Sequence, residues 1–248
     1  MAAHYDDKEF SYREYWQGRN YEHDSEILAI KKLLGRLHFQ SAADIGGGYG
    51  RLIPLLAGFA DKLTLVEPSA RQLKIAENLL PSYSSGLVLK QGTATVSSLP
   101  DNSQDLVMLV RVMHHLPEPE SSFQEIHRIL KPGGLLILEF ANSYHFKARV
   151  HSLLTGRPIL LTPVERRSKI NIHRRTIPFV NHAPATVQKL LTRSGFEIKK
   201  TLSVSNFRIP WLKKTLPHWL LLSLEKITQE FLAKGYFGPS IFILAQKS

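Results

Sequence analysis

Short apolar segments alternate with amphipathic helical segments from about residue 22 to residue 140. The apolar segments, among them "KLTLVE" and "DLVMLV", lack the strict polar alternation of half-exposed strands. Continuous apolar strands of this kind are buried on both faces by crossover helices. The order of segments, β-α-β-α-β-β-α-β, therefore predicts an α/β fold with a Rossmann-like, doubly wound sheet.

Individual elements follow from the same periodicity. The segment "EHDSEILAIKKLLGRL" predicts a helix whose apolar face extends to Leu37, and residues 51–59 predict another. In "SARQLKIAENLL", Ser69 and Gln72 have the spacing of a capping box. Beyond Phe140 the pattern weakens for about forty residues. It recovers as a helix in "ATVQKLLTRSGF", a strand in "EIKKTLSV", a helical stretch from Trp211 to about Lys234 and a final strand in "PSIFILAQK".

Composition excludes several kinds of chemistry. The 248 residues contain no cysteine, which rules out disulfides, thiolate metal sites and cysteine nucleophiles. No histidine pair has a convincing metal-ligand spacing with acidic partners, so we expect no metal. The opening "MAAHYDDKEF" is too polar for a secretory signal, and no apolar run approaches the roughly 18 residues of a membrane span. We expect a cytoplasmic protein.

The most informative segment is "ADIGGGYGRL", in which four glycines lie between a buried strand and a helix. Glycines in such a place allow tight, left-handed turns and close approach of a ligand to the backbone. The segment is not the dinucleotide fingerprint G-x-G-x-x-G, because Arg51 stands where the third glycine would be. It is not a P-loop either, since no Lys-Ser or Lys-Thr follows the glycines.

Two acidic residues narrow the choice of ligand. Asp44 precedes the first glycine by two residues, which favours a cationic ligand group over a pyrophosphate. Glu67 ends the next strand, where a carboxylate can accept both hydroxyls of a ribose. Nicotinamide dinucleotide binders share an acid at that position, so Glu67 indicates a nucleoside, and the combination with Asp44 is the discriminating feature.

These motifs resemble those of the class I S-adenosylmethionine-dependent methyltransferases, in particular a small-molecule group that includes quinone-biosynthesis enzymes. The matching stretches are "ADIGGGYGRL", "LTLVEPS", "SLPDNSQDLVMLVRVMHHL" and "EIHRILKPGGLLILEF". The resemblance implies a seven-stranded sheet of order 3-2-1-4-5-7-6 with the last strand antiparallel. It also implies S-adenosylmethionine as the cofactor and S-adenosylhomocysteine as its product.

The resemblance also assigns the cofactor residues. Asp44 and the glycines Gly46, Gly47, Gly48 and Gly50 would form the methionine end, and Glu67 and Pro68 the ribose end. Thr93 and Ala94 would flank the adenine, and Arg111 would lie near the methionine moiety mainly through its backbone. Many relatives have an acid where Thr93 stands, which puts the usual contact to the adenine amino group in doubt.

The same comparison divides the chain, as a single domain, into four parts. They are an N-terminal lid and first helix (1–37), a cofactor-binding half (38–140), a basic substrate-cover insertion (141–184) and a C-terminal helix–strand half (185–248).

Catalytic residues are less clearly indicated, because methyl transfer depends mainly on placing the acceptor against the methyl group. A base is needed only where the acceptor must lose a proton. His114 and His115 follow the fourth strand, at the sheet edge where such folds bind ligands. They are our candidates for that base, with packing of the turn as the alternative. His145, His151, His173 and His182 could also reach an acceptor.

An aromatic and basic run precedes the first helix, comprising Tyr12, Tyr15, Trp16, Arg19 and Tyr21. One hypothesis is a segment that packs on the sheet edge. The other is a lid that closes over the cofactor, with Tyr21 or Arg19 on its carboxylate.

Positive charge is concentrated between Ala141 and Thr215, where fifteen Lys or Arg and two acids give a net charge of +13. This region could bind RNA, an anionic small molecule or lipid headgroup, or only solvent. The helical stretch that contains Trp211 and Trp219 favours core packing, with an interfacial helix as the alternative. We expect a methyltransferase with a small, lipophilic or anionic acceptor and peripheral membrane contact. An RNA methyltransferase and a non-catalytic cofactor-binding scaffold are the alternatives.

Overall fold

The computed structural model of the protein describes residues 16–83, 85–173 and 176–248; Tyr12 and Tyr15 lie outside these ranges. The strands are β1 (Phe39–Ile45), β2 (Ala60–Glu67), β3 (Leu87–Gln91), β4 (Gln104–Leu109), β5 (Leu130–Ala141), β6 (Val164–Glu165), β7 (Val180–Asn181), β8 (Phe196–Val204) and β9 (Ser240–Lys247). The helices are α1 (Asn20–Leu34), α2 (Ile53–Leu56), α3 (Ala70–Leu79), α4 (Glu120–Ile129), α5 (Phe146–Thr155), α6 (Lys169–His173), α7 (Pro184–Arg193), α8 (Pro210–Thr215) and α9 (His218–Ala233).

Seven strands form one sheet in the order β3-β2-β1-β4-β5-β9-β8. Strands β1 to β5 are parallel, and β9 runs antiparallel to both of its neighbours, β5 and β8. Because β6 and β7 form a separate two-stranded sheet, the order among the seven main strands is 3-2-1-4-5-7-6. The predicted fold and topology are confirmed.

The central strands are buried on both faces, as their apolar composition predicts. In β4, Leu106 and Met108 belong to a core layer shared with α1, whereas Val107 and Leu109 belong to one shared with α4 and α7. The helices thus cover both sides of the sheet, and ligands have access at the edge where the parallel strands end. At the start of α3, the Ser69 hydroxyl accepts a hydrogen bond from the Gln72 amide at 3.1 Å, so the predicted cap is present.

Several predicted helices end earlier than expected. Helix α1 ends at Leu34 because Gly35 takes a positive φ of 59°, and Leu37 is left exposed rather than buried. The helix expected over residues 51–59 is reduced to the single turn α2. The "KPGG" segment, whose proline and glycines are typical of a turn, is included in β5, where Gly133 has a φ of 75°.

The Trp-containing helical stretch is divided by Pro217 into α8 and α9. Core packing was the wrong expectation for its two tryptophans, because Trp211 and Trp219 are 67% and 68% exposed. No helix among the described residues combines the length and apolar character that a membrane crossing requires.

The basic insertion projects from the carboxyl edge of the sheet. It begins at Ala141, and the side-chain amide of the next residue, Asn142, donates to the carbonyls of Tyr236 and Gly238 at 2.7 and 2.8 Å. It then forms α5, β6, α6 and β7 and rejoins the core at α7. The insertion is therefore fixed at its base to the segment that leads into β9.

Candidate active site

The glycine turn after β1 has a backbone that only glycine tolerates. Gly46, Gly48 and Gly50 have φ values of 71°, 60° and 78°. A Cβ on Gly46 would lie 2.5 Å from Val112 Cγ2, and one on Gly47 would lie 2.3 Å from Asp44 Oδ2. Neighbouring side chains therefore exclude a larger residue at both positions, and the backbone of Gly46 and Gly48 lines the adjoining pocket.

Glu67 joins the end of β2 to this turn. Its carboxylate accepts hydrogen bonds from the Gly48 amide at 3.0 Å and from the Ser69 amide at 3.1 Å. The side chain is buried, yet Glu67 lines the pocket that opens beside the turn. A carboxylate held rigidly by two backbone amides is well placed to accept hydrogen bonds from vicinal hydroxyls.

Asp44 is the most unusual residue of the site. It is buried, and neither carboxylate oxygen has a hydrogen-bond partner among the residues that the structure describes. Burial raises the pKa of Asp44 to about 7; Arg51 opposes this effect, and the nearby Glu67 adds to it. A buried carboxylate without a partner is costly unless a cation or donor pairs with it. Asp44 could therefore accept a hydrogen bond or positive charge from a ligand.

The pocket beside the turn brings together most of the residues predicted from the sequence. Its lining comprises Gly46, Gly48, Glu67, Pro68, Gln72, Thr93, Ala94, Arg111, Val112, His115 and Leu116. Asp44, Gly47 and Gly50 are not among the lining residues. Thr93 is held by a turn in which its hydroxyl accepts from the Val96 amide at 3.1 Å.

Arg111 lines the pocket, and its side chain also contacts a carboxylate on α1. It has a φ of 63°, and its backbone amide donates to Glu139 at 2.9 Å. Its Nε donates to Glu26 at 2.6 Å, and Arg51 contacts the other oxygen of Glu26 at 2.7 Å. The Arg51 guanidinium lies 3.7 Å from the centre of the Trp16 ring.

This cluster of Glu26, Arg51, Arg111 and Trp16 was not predicted. Burial alone would raise the pKa of Glu26, but Arg111 and Arg51 outweigh burial and hold it below its usual value. The cluster fixes α1 against the turn that follows β4. One sequence signal was available, because Glu26 shares the helical face of Ile30 and Leu33, where an apolar residue is the norm.

The two candidate bases differ in their surroundings. His115 lines the pocket, and its Nδ1 lies 2.8 Å from the Pro178 carbonyl oxygen. Because a carbonyl only accepts, Nδ1 donates this hydrogen bond, which in the neutral ring leaves the lone pair on Nε2. His114 stacks between His115 and Phe179, with ring centres 4.0 and 4.8 Å away, and burial holds its pKa well below the usual value.

The other histidines are placed apart from this pair. His182 is buried, and its Nε2 lies 3.0 Å from the Met113 carbonyl oxygen, so it holds the turn on which His114 and His115 lie. His145 is the N-cap of α5, and its Nδ1 accepts from the Ala148 amide at 3.3 Å. His151 lines a cavity in the insertion together with His145. His173 ends α6 and is exposed.

Tyr21 and Arg19 do not line the glycine-turn pocket. The Tyr21 hydroxyl donates to Glu225 at 2.7 Å and accepts from the Phe207 amide at 3.0 Å. Burial raises the pKa of Tyr21 above its usual value, and Glu225 adds to this effect. Tyr21 therefore fastens α1 to α9. Arg19 precedes α1 and lines a separate groove with Lys213 and Lys214. Their contact with the cofactor stays a prediction.

Comparison with known proteins agrees with this geometry. A family model described as "Methyltransferase domain" matches residues 43–138, which include the glycine turn, Glu67 and His115. This match covers the cofactor-binding half of the chain, and the strand order is the one expected from the resemblance to class I S-adenosylmethionine-dependent methyltransferases.

Individual relatives match less than half of this chain, at moderate sequence identity. The ubiquinone/menaquinone biosynthesis C-methyltransferase UbiE of Hahella chejuensis is 33% identical over 107 residues, which cover 41% of this chain and 43% of that protein. The chain thus matches about half or less of the length of such relatives.

Solved structures match nearly the whole fold. A Thermotoga maritima protein described as a SAM-dependent methyltransferase is 23% identical, with a TM-score of 0.62 over 96% of this chain and 94% of that one. A Listeria monocytogenes protein described as a putative S-adenosylmethionine dependent methyltransferase is 17% identical. Its TM-score is 0.65 over 92% of this chain and 99% of that one. At these identities the likeness establishes the fold.

Proposed function

We propose that the protein binds S-adenosylmethionine beside the glycine turn and transfers its methyl group to a small acceptor that is lipophilic or anionic. The observation that carries the proposal is Asp44, a buried carboxylate with neither oxygen paired among the described residues. A cofactor with an ammonium group and a sulfonium centre matches this position. A pyrophosphate would add negative charge beside it.

The described residues fit the rest of the cofactor as well. Glu67 offers a fixed carboxylate for the ribose hydroxyls, and Pro68, Thr93 and Ala94 form the adjoining wall for the adenine. The backbone of Gly46 and Gly48 lines the same pocket, so a ligand there can contact the turn without an intervening side chain from these residues. The bound cofactor would supply an electrophilic methyl group, and the protein would supply position.

His115 is the residue best placed to move a proton. It lies in the same pocket wall as Glu67, and the Pro178 carbonyl fixes its tautomer with the lone pair on Nε2. A general base is required where the acceptor is a phenol, an acidic carbon or an ammonium group. His114, whose pKa burial holds well below the usual value, is uncharged at neutral pH and is a weak base.

The choice of acceptor rests on the basic insertion. A cavity there is lined by Lys147, Arg157 and Arg166 together with Ile159, Leu160 and Val164, and its described lining contains no carboxylate. Cationic forks beside aliphatic walls suit an acceptor with an anionic end and an apolar body. The similarity to enzymes named for ubiquinone and menaquinone biosynthesis is compatible with a lipophilic acceptor.

RNA is the second candidate acceptor, because the same cations could contact phosphates. It would be favoured by a salt-sensitive gel shift with the intact protein. A small-molecule acceptor instead predicts that RNA binding is absent at physiological salt.

The test is transfer of labelled methyl from S-adenosylmethionine into a cell extract, followed by separation of the organic, aqueous small-molecule and RNA fractions. We expect enzyme-dependent label in the organic or aqueous fraction, and loss of that label with Glu67→Ala. Label confined to RNA would overturn the small-molecule proposal. Cofactor binding without transfer to any fraction would support the non-catalytic scaffold.

A further inference from the structure

Most of the apolar face of helix α5 is exposed to solvent, although Phe146 at its start stacks on Phe237 with ring centres 4.9 Å apart. Phe146, Val150, Leu153 and Leu154 have the i, i+4, i+7, i+8 spacing of one helix face. In a globular protein that face normally packs on the core. Here α5 has no buried residue, and Leu153 and Leu154 are 84% and 79% exposed. Two adjacent leucines this exposed on one helix are typical of a surface that binds a protein or a membrane.

Further large aliphatic side chains continue this surface beyond α5. We define the cover as residues 146–173, the part of the basic insertion that contains α5, β6 and α6. Within it, Leu160 and Leu161 in the loop and Ile170 and Ile172 on α6 are also exposed. The cover therefore carries a dense set of exposed aliphatic groups at the ligand-binding edge of the sheet.

Unpaired positive charge accompanies these apolar groups. Four basic residues form no salt bridge with any carboxylate in the described part of the chain, namely Lys147, Arg149, Arg157 and Arg166. The single acidic residue of the cover is Glu165, and it is taken by Arg167 at 2.6 Å. The cover thus presents cations that have no carboxylate partner among the described residues.

We propose that the cover docks on the surface of an anionic lipid bilayer. Leucine and isoleucine side chains enter the boundary between headgroups and acyl chains, while lysine and arginine pair with anionic headgroups. A bilayer surface is the partner that satisfies both kinds of side chain at once.

Two other partners fit only half of this surface. A second copy of the chain would cover the aliphatic groups but would bring two strongly basic faces together. RNA would pair with the cations but would leave the aliphatic groups exposed, because bases stack on aromatic rather than aliphatic side chains.

Docking through the cover would bring the cavity lined by Ile159, Leu160 and Val164 next to the lipid phase. A lipophilic acceptor could then pass from the bilayer toward the pocket without crossing water. This second step rests on the proposed function, whereas the docking itself rests on the side chains of the cover.

The experiment is co-sedimentation of the full chain with vesicles of phosphatidylcholine alone and with about 30% phosphatidylglycerol. We expect binding to the anionic vesicles, weakened by added salt. The double variant Leu153→Gln, Leu154→Gln should bind at least about tenfold more weakly. Its matched control is Ile227→Gln, Phe231→Gln on α9, a pair that is 75% and 70% exposed but lies outside the cover. Binding of the control should change less than about twofold.

A charge pair tests the second half of the surface. Arg149→Gln with Arg157→Gln should weaken vesicle binding by about fivefold or more per charge. The control, Lys62→Gln with Lys74→Gln, removes two exposed charges from β2 and α3, outside the cover, and should have little effect on vesicle binding.

Equal binding of all variants, or equal binding to neutral and anionic vesicles, would overturn the docking proposal. Self-association that the leucine variant abolishes would assign the face to a second copy. Each variant is also titrated with S-adenosylmethionine. Loss of vesicle binding with unchanged cofactor binding concerns the cover, whereas loss of cofactor binding by every protein would count against the proposed function.

Discussion

Replacing Asp44 by asparagine should make the protein more stable while it weakens cofactor binding. The pKa of Asp44 rises from 3.8 to about 7 on folding, mainly through burial. The folded chain therefore holds a proton that the unfolded chain releases between these two pKa values. Ionised Asp44 destabilises the folded state, and this penalty grows as the pH rises from about 4 to about 7.

The size of the effect follows from the same shift. At about 1.36 kcal/mol per pKa unit, the penalty is about 4 kcal/mol at pH 8 and about 2 kcal/mol at pH 5. An asparagine side chain would have the shape of the carboxyl group without its charge. We therefore expect Asp44→Asn to raise the free energy of unfolding at pH 8, with an increment that shrinks toward pH 4.

The assay is urea unfolding of both proteins at pH 4, 5, 6.5 and 8, without ligand. Other titrating groups are common to the two proteins and cancel in the difference. A stability difference that does not change with pH would refute the account of Asp44 as a buried, unpaired carboxylate. Saturating S-adenosylmethionine should reverse the order at pH 8, because only the wild type gains its missing cation.

Other variants test neighbouring parts of the site. Gly47→Ala should lower the affinity for the cofactor, measured by calorimetry, by more than about tenfold, because its Cβ would lie 2.3 Å from Asp44 Oδ2. The control Gly58→Ala should bind normally, because its Cβ would meet nothing closer than 3.4 Å. Glu67→Gln should weaken cofactor binding by about tenfold to a hundredfold, because one carboxylate oxygen is replaced by an amide donor that faces a backbone amide. Unchanged affinity would show that Glu67 does not bind the ribose. His115→Gln should lower kcat by about a hundredfold with little change in the KM for the cofactor, and an unaltered kcat would show that no base acts from this position.

The sequence predicted the elements that are determined by residues close together in the chain. Apolar runs predicted the buried strands, and the Ser69 cap and the glycine turn follow from backbone chemistry within a few residues. The resemblance to a known family then assigned Asp44 and Glu67 to the two ends of a cofactor site. The structure brings both to the same turn.

The features that sequence reasoning missed depend on contacts between distant segments. Glu26 joins Arg51 and Arg111, which are separated from it by 25 and 85 positions, so no local pattern reveals the cluster. The exposure of Trp211 and Trp219 was also mispredicted, because periodicity gives the apolar face of a helix but not what covers it. The apolar face of α5 is exposed for the same reason.

The central claim is that the glycine turn and its two carboxylates hold S-adenosylmethionine, and calorimetric titration tests it most directly. The account predicts one site that binds S-adenosylmethionine and S-adenosylhomocysteine at micromolar concentrations, with affinity that rises between about pH 6 and pH 8 as Asp44 ionises. Binding should collapse in Glu67→Ala and persist in Gly58→Ala. A folded wild-type protein that binds neither ligand would contradict the account.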